Sequence, residues 1–116
     1  MLVRNVSRNL VLGRAIRRAD RFYLRLLGLM FRRELSEGEG LWIEPCRSVH
    51  THFMRFPIDV LFIDRQGGVL HVIPAMQPWR FSPSFREAAA VLEVAAGAAQ
   101  GTAAGDRILC EDPRSS

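Results

Sequence analysis

Apolar residues alternate with polar ones in several short segments of this sequence, which is the pattern of β-strands with one face turned to a core. The segments with a strand pattern are residues 41–43, 49–56, 58–63, 69–76, 90–94 and 107–110. Near the amino terminus, Leu10, Leu12 and Ile16 recur at nearly every second position, which predicts a further strand. We therefore expect a domain built mainly from β-structure.

A helical spacing follows Asp20, a residue type that favours the position just before a helix. Apolar side chains then recur three or four positions apart, at Phe22, Leu26, Leu29 and Met30. This spacing predicts one short amphipathic helix, and the Ala-rich residues 95–104 predict one short helical turn. The expected fold class is α+β: a small, mainly antiparallel, barrel-like or strongly coiled sheet with these two helical elements.

The segment from 58 to 63 is apolar at positions that face both sides of a strand, so we expect it to be buried on both faces. Asp59 is the exception within it. A buried carboxylate requires either a charged partner or several N–H donors. Residues 64–68, which end in two glycines, then predict the turn of a hairpin.

The chain has 116 residues, enough for one domain, and we expect its ends at 1–9 and 112–116 to fray. All 16 basic residues are arginines, which excludes chemistry that depends on a lysine of this chain. Residues 1–33 hold nine arginines and one acidic residue, whereas the rest of the chain is net acidic. Nucleic acid is thus a weaker candidate partner, because only the first third could supply a basic surface.

Compartment signals point to the cytoplasm. Arginines interrupt every stretch that resembles a secretory signal, and charged or polar residues interrupt the apolar runs before they reach the roughly 20 residues of a membrane span. Cys46 and Cys110 are too few for a disulfide scaffold, although the sequence leaves open a bridge between them. We expect a soluble, cytoplasmic protein with no membrane partner, and the oligomeric state stays open.

One polar segment, residues 46–59, concentrates groups that carry chemistry, and three interpretations of it stay open. In the first, Cys46, His50 and His52 bind zinc, because thiolate and imidazole suit that metal. In the second, Cys46 is a nucleophile with a histidine as its base, and Cys46, His50 and Asp59 are the candidate catalytic residues. In the third, all of these side chains are structural. No cofactor is expected, with zinc as the alternative.

A second cluster, Pro78-Trp79-Arg80-Phe81, places an arginine among aromatic residues. Trp79 would supply a stacking wall, and Arg80 would hold an anionic group through its planar guanidinium. Pockets usually combine apolar walls with a few polar groups that converge. The residues expected to line such a cleft are His50, Met54, Arg55, Asp59, Trp79 and Arg80.

Several motifs of the chain resemble a known family, the domain of unknown function 192, also called uncharacterised protein family 0127. They are RLLGLMFRREL at 25–35, CRSVHT at 46–51, MRFPIDVLFID at 54–64, PWR at 78–80 and VLE at 91–93. The resemblance implies a single compact domain with a mainly β fold, and it assigns no activity. The positions that it suggests as shared site residues are Met54, Asp59, Trp79 and Arg80, together with Cys46 and His50.

These residues favour a non-enzymatic binding module that takes a small polar or anionic ligand or a peptide. The alternative is a hydrolase or transferase that depends on a metal or a thiol and uses Cys46, His50, His52 and Asp59. Nucleic-acid binding is the weaker alternative.

Overall fold

The computed structural model describes residues 1–19, 35–52 and 54–111, and these residues form eight β-strands. The strands are β1 (Leu2–Asn5), β2 (Leu10–Gly13), β3 (Ala15–Ala19), β4 (Glu39–Ile43), β5 (Ile58–Ile63), β6 (Val69–Met76), β7 (Ala90–Ala95) and β8 (Ile108–Glu111). The strands predicted at 58–63 and 69–76 are confirmed with the same bounds. Those predicted at 41–43, 90–94 and 107–110 are confirmed with ends that differ by one or two residues.

The described strands form two open sheets. A three-stranded antiparallel sheet has the order β2-β1-β8, and a five-stranded sheet has the order β3-β4-β7-β5-β6. Only the β3–β4 pair is parallel. β1 lies at the centre of the smaller sheet, although the sequence suggests that residues 1–9 fray. Neither sheet closes on itself, so the prediction of a barrel-like sheet is wrong.

The α+β prediction is also wrong, because the described residues contain no helix and are all-β. The helical turn predicted at 95–104 is replaced by successive turns in which Gly97 and Gly101 have φ values of 94° and 93°. A right-handed helix requires negative φ throughout, so these two residues prevent one. The amphipathic helix predicted after Asp20 lies outside the described residues. In the described ranges, no helix has the length and apolarity to span a bilayer.

Two cores lie on opposite faces of the five-stranded sheet, and β5, which is buried along its whole length, contributes to both. The first core lies between the two sheets and includes Val3, Leu12, Leu61 and Leu92. The second core lies on the other face, where Val60, Phe62, Val91, Met54 and Phe85 pack together. Met54 and Phe85 belong to loops that cover this face, and these loops carry most of the predicted site.

A buried carboxylate fastens the small sheet to the turns that precede β8. Asp106 Oδ2 accepts hydrogen bonds from the Ala103 N–H at 2.9 Å, from Asn5 Nδ2 at 2.9 Å and from Arg8 Nε at 2.6 Å. These donors, led by the Ala103 N–H, lower the pKa of Asp106 from 3.8 to about 2. The carboxylate therefore stabilises the fold above the ordinary Asp range, and this contribution is lost as the pH falls toward about 2.

Candidate functional site

Two irregular segments, residues 47–52 and 77–85, run side by side over the second core, and we call them the loop pair. Four main-chain N–H to O bonds of 2.9 Å join them: Phe85 to Arg47, Ser82 to Val49, Thr51 to Arg80, and Trp79 to Thr51. The spacing of these bonds is uneven, and regular pairing is limited to one bridge between His50 and Phe81. The strand predicted at 49–56 is therefore wrong, because the Val49 and Thr51 N–H groups bond to a facing loop. The His52 and Met54 N–H groups bond within the segment itself.

Thr51 fixes the shape of the loop pair. Its side chain is fully buried, and its hydroxyl donates to the Gln77 carbonyl oxygen at 2.6 Å while accepting from the Arg80 N–H at 2.9 Å. Its carbonyl oxygen also accepts from the Trp79 N–H at 2.9 Å. Trp79 has a φ of 65°, a conformation that is unfavourable for a residue with a side chain and persists only when its surroundings impose it. Thr51 supplies that constraint.

Replacing Thr51 by Val is expected to lower the free energy of unfolding by about 2 kcal/mol, because the Gln77 carbonyl and the Arg80 N–H then lose a buried partner. Urea unfolding followed by circular dichroism measures this loss. Thr51→Ser retains the hydroxyl and serves as the matched control. Equal losses in the two variants would show that the hydroxyl does not hold the loop.

Four rings meet on the outer surface of the loop pair, and we call them the aromatic face: His50, His52, Trp79 and Phe81. The ring centroids of His52 lie 5.0 Å from His50, 5.3 Å from Trp79 and 4.5 Å from Phe81. Trp79 is 56% exposed and Phe81 is 77% exposed. The result is a rigid backbone that presents two large aromatic side chains to solvent.

The polar atoms of the aromatic face differ in their partners. His50 Nδ1 accepts a hydrogen bond from the His52 main-chain N–H at 3.3 Å, which fixes the orientation of the His50 ring. His52 Nδ1 is buried and has no hydrogen-bond partner among the described residues. Arg80, between the two exposed aromatic residues in sequence, is exposed, while its main chain is held by Thr51. Arg80 is therefore the cationic residue adjacent in sequence to both exposed rings.

Asp59 does not join the aromatic face. It pairs in register with Val94, which belongs to the first core, and so it faces the opposite side of the sheet. Its Oδ1 accepts from the Ala75 N–H at 2.8 Å, and its Oδ2 accepts from the N–H groups of Gly97 at 2.9 Å and Ala99 at 3.0 Å. The sequence left two alternatives open for this carboxylate, a charged partner such as Arg55 or Arg80, or several N–H donors, and the structure shows the second.

The other predicted site residues separate as well. Met54 is part of the second core, while Arg55 is exposed beside it in sequence. Cys46 is buried in the same core, and its Sγ donates to the Ser48 carbonyl oxygen at 3.1 Å. Of the predicted cleft, the aromatic face therefore retains His50 and Trp79, and it adds His52 and Phe81, while Arg80 lies between Trp79 and Phe81 in sequence. The run of Trp, Arg and Phe in the sequence was the available signal for Phe81.

The residues predicted for metal or thiol chemistry lie in different parts of the fold. In the described part of the chain, no three His, Cys, Asp and Glu side chains are grouped so as to hold a metal ion. Cys46 lies in the second core, the histidines lie on the outer surface of the loop pair, and Asp59 faces the first core. Neither Cys46 nor Cys110 forms a disulfide.

Comparison with known proteins gives a family and a fold. The model of the DUF192 family, described as "Uncharacterized ACR", matches residues 5–110. A UPF0127 protein of Pyrococcus furiosus is 34% identical over 94 residues, which cover 77% of this chain and 78% of that protein. A UPF0127 protein of Pyrococcus horikoshii is 36% identical over 84 residues, which cover 68% of this chain and 70% of that protein.

Solved structures resemble the fold closely. A protein of unknown function from Novosphingobium aromaticivorans matches with a TM-score of 0.78 and 26% identity, covering 94% of this chain and 82% of that chain. A protein from Sinorhizobium meliloti matches with a TM-score of 0.73 and 24% identity, covering 93% of this chain and 89% of that chain. The second likeness concerns the fold alone.

Proposed function

The chain belongs to the DUF192 family, also named UPF0127, and we propose that it is a non-enzymatic binding domain whose aromatic face takes a small polar ligand with a flat ring and an anionic group. The observation that carries the proposal is the exposure of Trp79 and Phe81 on a backbone that Thr51 holds in one shape. A fixed surface of this kind loses little conformational freedom when it binds.

Solvent exposure of these rings carries a cost that a ligand would remove. An aromatic side chain has roughly 150–250 Å² of surface to bury, and burial stabilises by about 25 cal/mol per Å². Leaving more than half of Trp79 and Phe81 in water therefore forgoes at most about 2–5 kcal/mol for each side chain. A flat ring stacked on either side chain would recover part of that energy.

The positive charge of Arg80, which lies between the two exposed rings in sequence, favours flat ligands that also carry an anionic group. Arg80 is exposed, always protonated, and able to hold a phosphate or carboxylate through two parallel hydrogen bonds. The imidazoles of His50 and His52 add nitrogen atoms at the edge of the same surface. A ligand with both a ring and an anion would use the rings and the guanidinium together, whereas a ligand with one of the two would use only part of the surface.

The test compares three probes: AMP, which has a ring and an anion, adenosine, which has the ring, and ribose 5-phosphate, which has the anion. Calorimetric titration is expected to rank AMP first. Phe81→Ala and Trp79→Ala should each lower the affinity for AMP by about tenfold, which is the usual effect of losing one stacking partner. Arg80→Gln should lower the affinities for AMP and ribose 5-phosphate and leave the affinity for adenosine unchanged.

A matched control is available on the other sheet, where Leu109 of β8 is 45% exposed. Leu109→Ala removes a similarly exposed apolar side chain far along the chain from the loop pair, and it should leave every affinity unchanged. The proposal fails if Phe81→Ala and Leu109→Ala have the same effect. It also fails if all three probes show no binding while an acidic, aromatic peptide binds, since the occupant would then be a peptide.

We place this binding domain in the cytoplasm as part of the same proposal. Cys46 and Cys110 form no disulfide, which suits a reducing compartment.

A further inference from the structure

A second surface feature lies at the other end of the loop pair from the aromatic face. There, a cleft of about 720 Å³ is lined by three arginines, Arg47, Arg65 and Arg86, and we call it the arginine cleft. The Phe85 N–H to Arg47 oxygen bond marks this end of the loop pair, and the Thr51 bonds mark the end near Trp79. We propose that the arginine cleft is a second binding site, which takes a small, multiply charged anion bearing phosphate or carboxylate groups.

Each of the three arginines comes from a different part of the chain and stands on a well-fixed backbone. Arg65 lies in the β5–β6 turn, which Asp64 closes by accepting from the Gln66 N–H at 2.9 Å and the Gly68 N–H at 2.8 Å. Arg47 has its carbonyl oxygen bonded across the loop pair. Arg86 follows Phe85, whose ring centroid lies 4.4 Å from that of Phe62 in the second core.

Two of the three carboxylates that line the cleft contact groups other than its arginines. Asp64 serves the turn, and Glu44 Oε2 accepts from Trp42 Nε1 at 2.9 Å and lies 3.6 Å from the Arg18 guanidinium. Glu44, Asp64 and Glu87 match the formal charge of the three arginines, because a carboxylate that accepts hydrogen bonds stays charged. Among the described residues, the ion pairs join Arg4 to Glu111, Arg8 to Asp106 and Arg18 to Glu44. None involves an arginine of the cleft, so in this part of the chain ion pairs do not occupy the donors of these three guanidinium groups.

The floor and size of the cleft suit a small ligand. The floor is main chain that is already paired, because the Cys46 N–H donates to the Ala89 oxygen at 3.2 Å and the Ala89 N–H donates to the Ile63 oxygen at 2.8 Å. Its volume falls within the roughly 300–1,000 Å³ of small-molecule sites. Guanidinium groups bind phosphate and carboxylate in pairs of parallel hydrogen bonds, so three of them around one cleft favour an anion with several charged groups.

The test is calorimetric titration of the whole chain with pyrophosphate and with citrate, at constant ionic strength set by sodium chloride. We expect at least one of these anions to bind with one-to-one stoichiometry. The affinity for this anion should fall by about tenfold in each of three variants, because each loses a charge-assisted hydrogen bond. The variants are Arg47→Gln, Arg65→Gln and Arg86→Gln. Preference for pyrophosphate would identify a phosphate ligand, and preference for citrate a carboxylate ligand.

Two controls separate this site from general charge and from the aromatic face. Arg17→Gln and Arg107→Gln remove exposed arginines outside the cleft and should leave the affinity unchanged. Phe81→Ala should also leave it unchanged, so the two sites can fail independently. Equal weakening in all five arginine variants would mean a diffuse charge effect and would overturn the proposal, as would the absence of binding by both anions at millimolar concentration. In labelled protein, the anion should shift the amide signals of Gln66 and Ala89, which line the cleft. A shift confined to residues outside the cleft would also overturn the proposal.

Discussion

Replacing Asp59 by Ala is expected to lower the free energy of unfolding by about 4 kcal/mol, a large fraction of the roughly 5–15 kcal/mol that holds a typical domain together. The reason is that one carboxylate accepts the main-chain N–H groups of Ala75, Gly97 and Ala99, and its removal leaves these three donors without an acceptor. The loss also uncouples β6 from the turns after β7. Asp59 therefore has a structural role, and it acts on the opposite side of the sheet from the loop pair.

Thermal and urea unfolding measure the effect, with two variants for comparison. Asp59→Asn retains one side-chain oxygen as an acceptor, but it places an amide N–H₂ donor next to main-chain N–H donors. The loss of free energy of unfolding should therefore be intermediate. Glu87→Ala removes an exposed carboxylate and should change stability by less than about 0.5 kcal/mol. A loss below about 1 kcal/mol for Asp59→Ala would contradict the role of this carboxylate.

Replacing Glu93 by Gln is expected to stabilise the protein at pH 8 by up to about 3 kcal/mol. Glu93 is buried in β7, where it pairs in register with Leu41 and Val60 of the second core. Burial removes the carboxyl from water and raises its pKa from 4.5 to about 7. Each unit of such a shift corresponds to about 1.4 kcal/mol between the two protonation states.

The direction of the pH dependence follows from proton binding. Between pH 4.5 and about 7, the folded protein keeps the Glu93 proton and the unfolded chain releases it. Stability therefore falls as the pH rises through this interval, and it stays at the lower level above the folded pKa. Gln at this position has no proton to lose, so the variant lacks this part of the decline.

Urea unfolding at a series of pH values between 4 and 8 measures this difference. So that the contributions of other ionisable groups cancel, the quantity to compare is the stability of Glu93→Gln minus that of the unmodified chain at each pH. This difference should grow between pH 4.5 and about 7 and then remain constant. Glu87→Gln, at an exposed site, should give a flat difference; a flat difference for Glu93→Gln as well would refute the role of burial.

Much of the sheet could be predicted from the sequence because its strands have a strong apolar pattern. β5 is apolar on both faces, and it is buried on both faces. Asp59 breaks that pattern, and of the two kinds of partner expected for a buried carboxylate, a charged group or several N–H donors, it has the N–H donors of Ala75, Gly97 and Ala99. The turn at 64–68 also follows from local rules, since Gly67 has a φ of 85°.

Other features depend on contacts between distant residues, which a local pattern cannot contain. Residues 49–56 alternate like a strand, but their main-chain bonds go to residues 77–85, so they form a loop. The Ala-rich stretch at 95–104 has helical composition, yet Gly97 and Gly101 adopt positive φ and it turns repeatedly. Sheet closure likewise depends on which strands pair, and β1 pairs with β8 from the far end of the chain.

The candidate site was predicted in part for the same reason. His50, Trp79 and Arg80 fall on one loop pair because Thr51 joins their two segments, a contact across about thirty residues of sequence. Met54 and Asp59 lie close to His50 in sequence but belong to different cores or faces. Nearness in sequence was therefore a poor guide to which polar groups converge.

The most direct test of the binding role uses the two tryptophans of the chain as internal reporters. Trp79 is 56% exposed on the aromatic face, whereas Trp42 is 8% exposed and donates its Nε1 hydrogen to Glu44. In the nuclear magnetic resonance spectrum of ¹⁵N-labelled protein, titration with AMP should shift the indole N–H signal of Trp79 and leave that of Trp42 in place. A Trp79 signal that stays fixed to millimolar AMP, or a shift confined to Trp42, would contradict the assignment of the aromatic face as the binding surface.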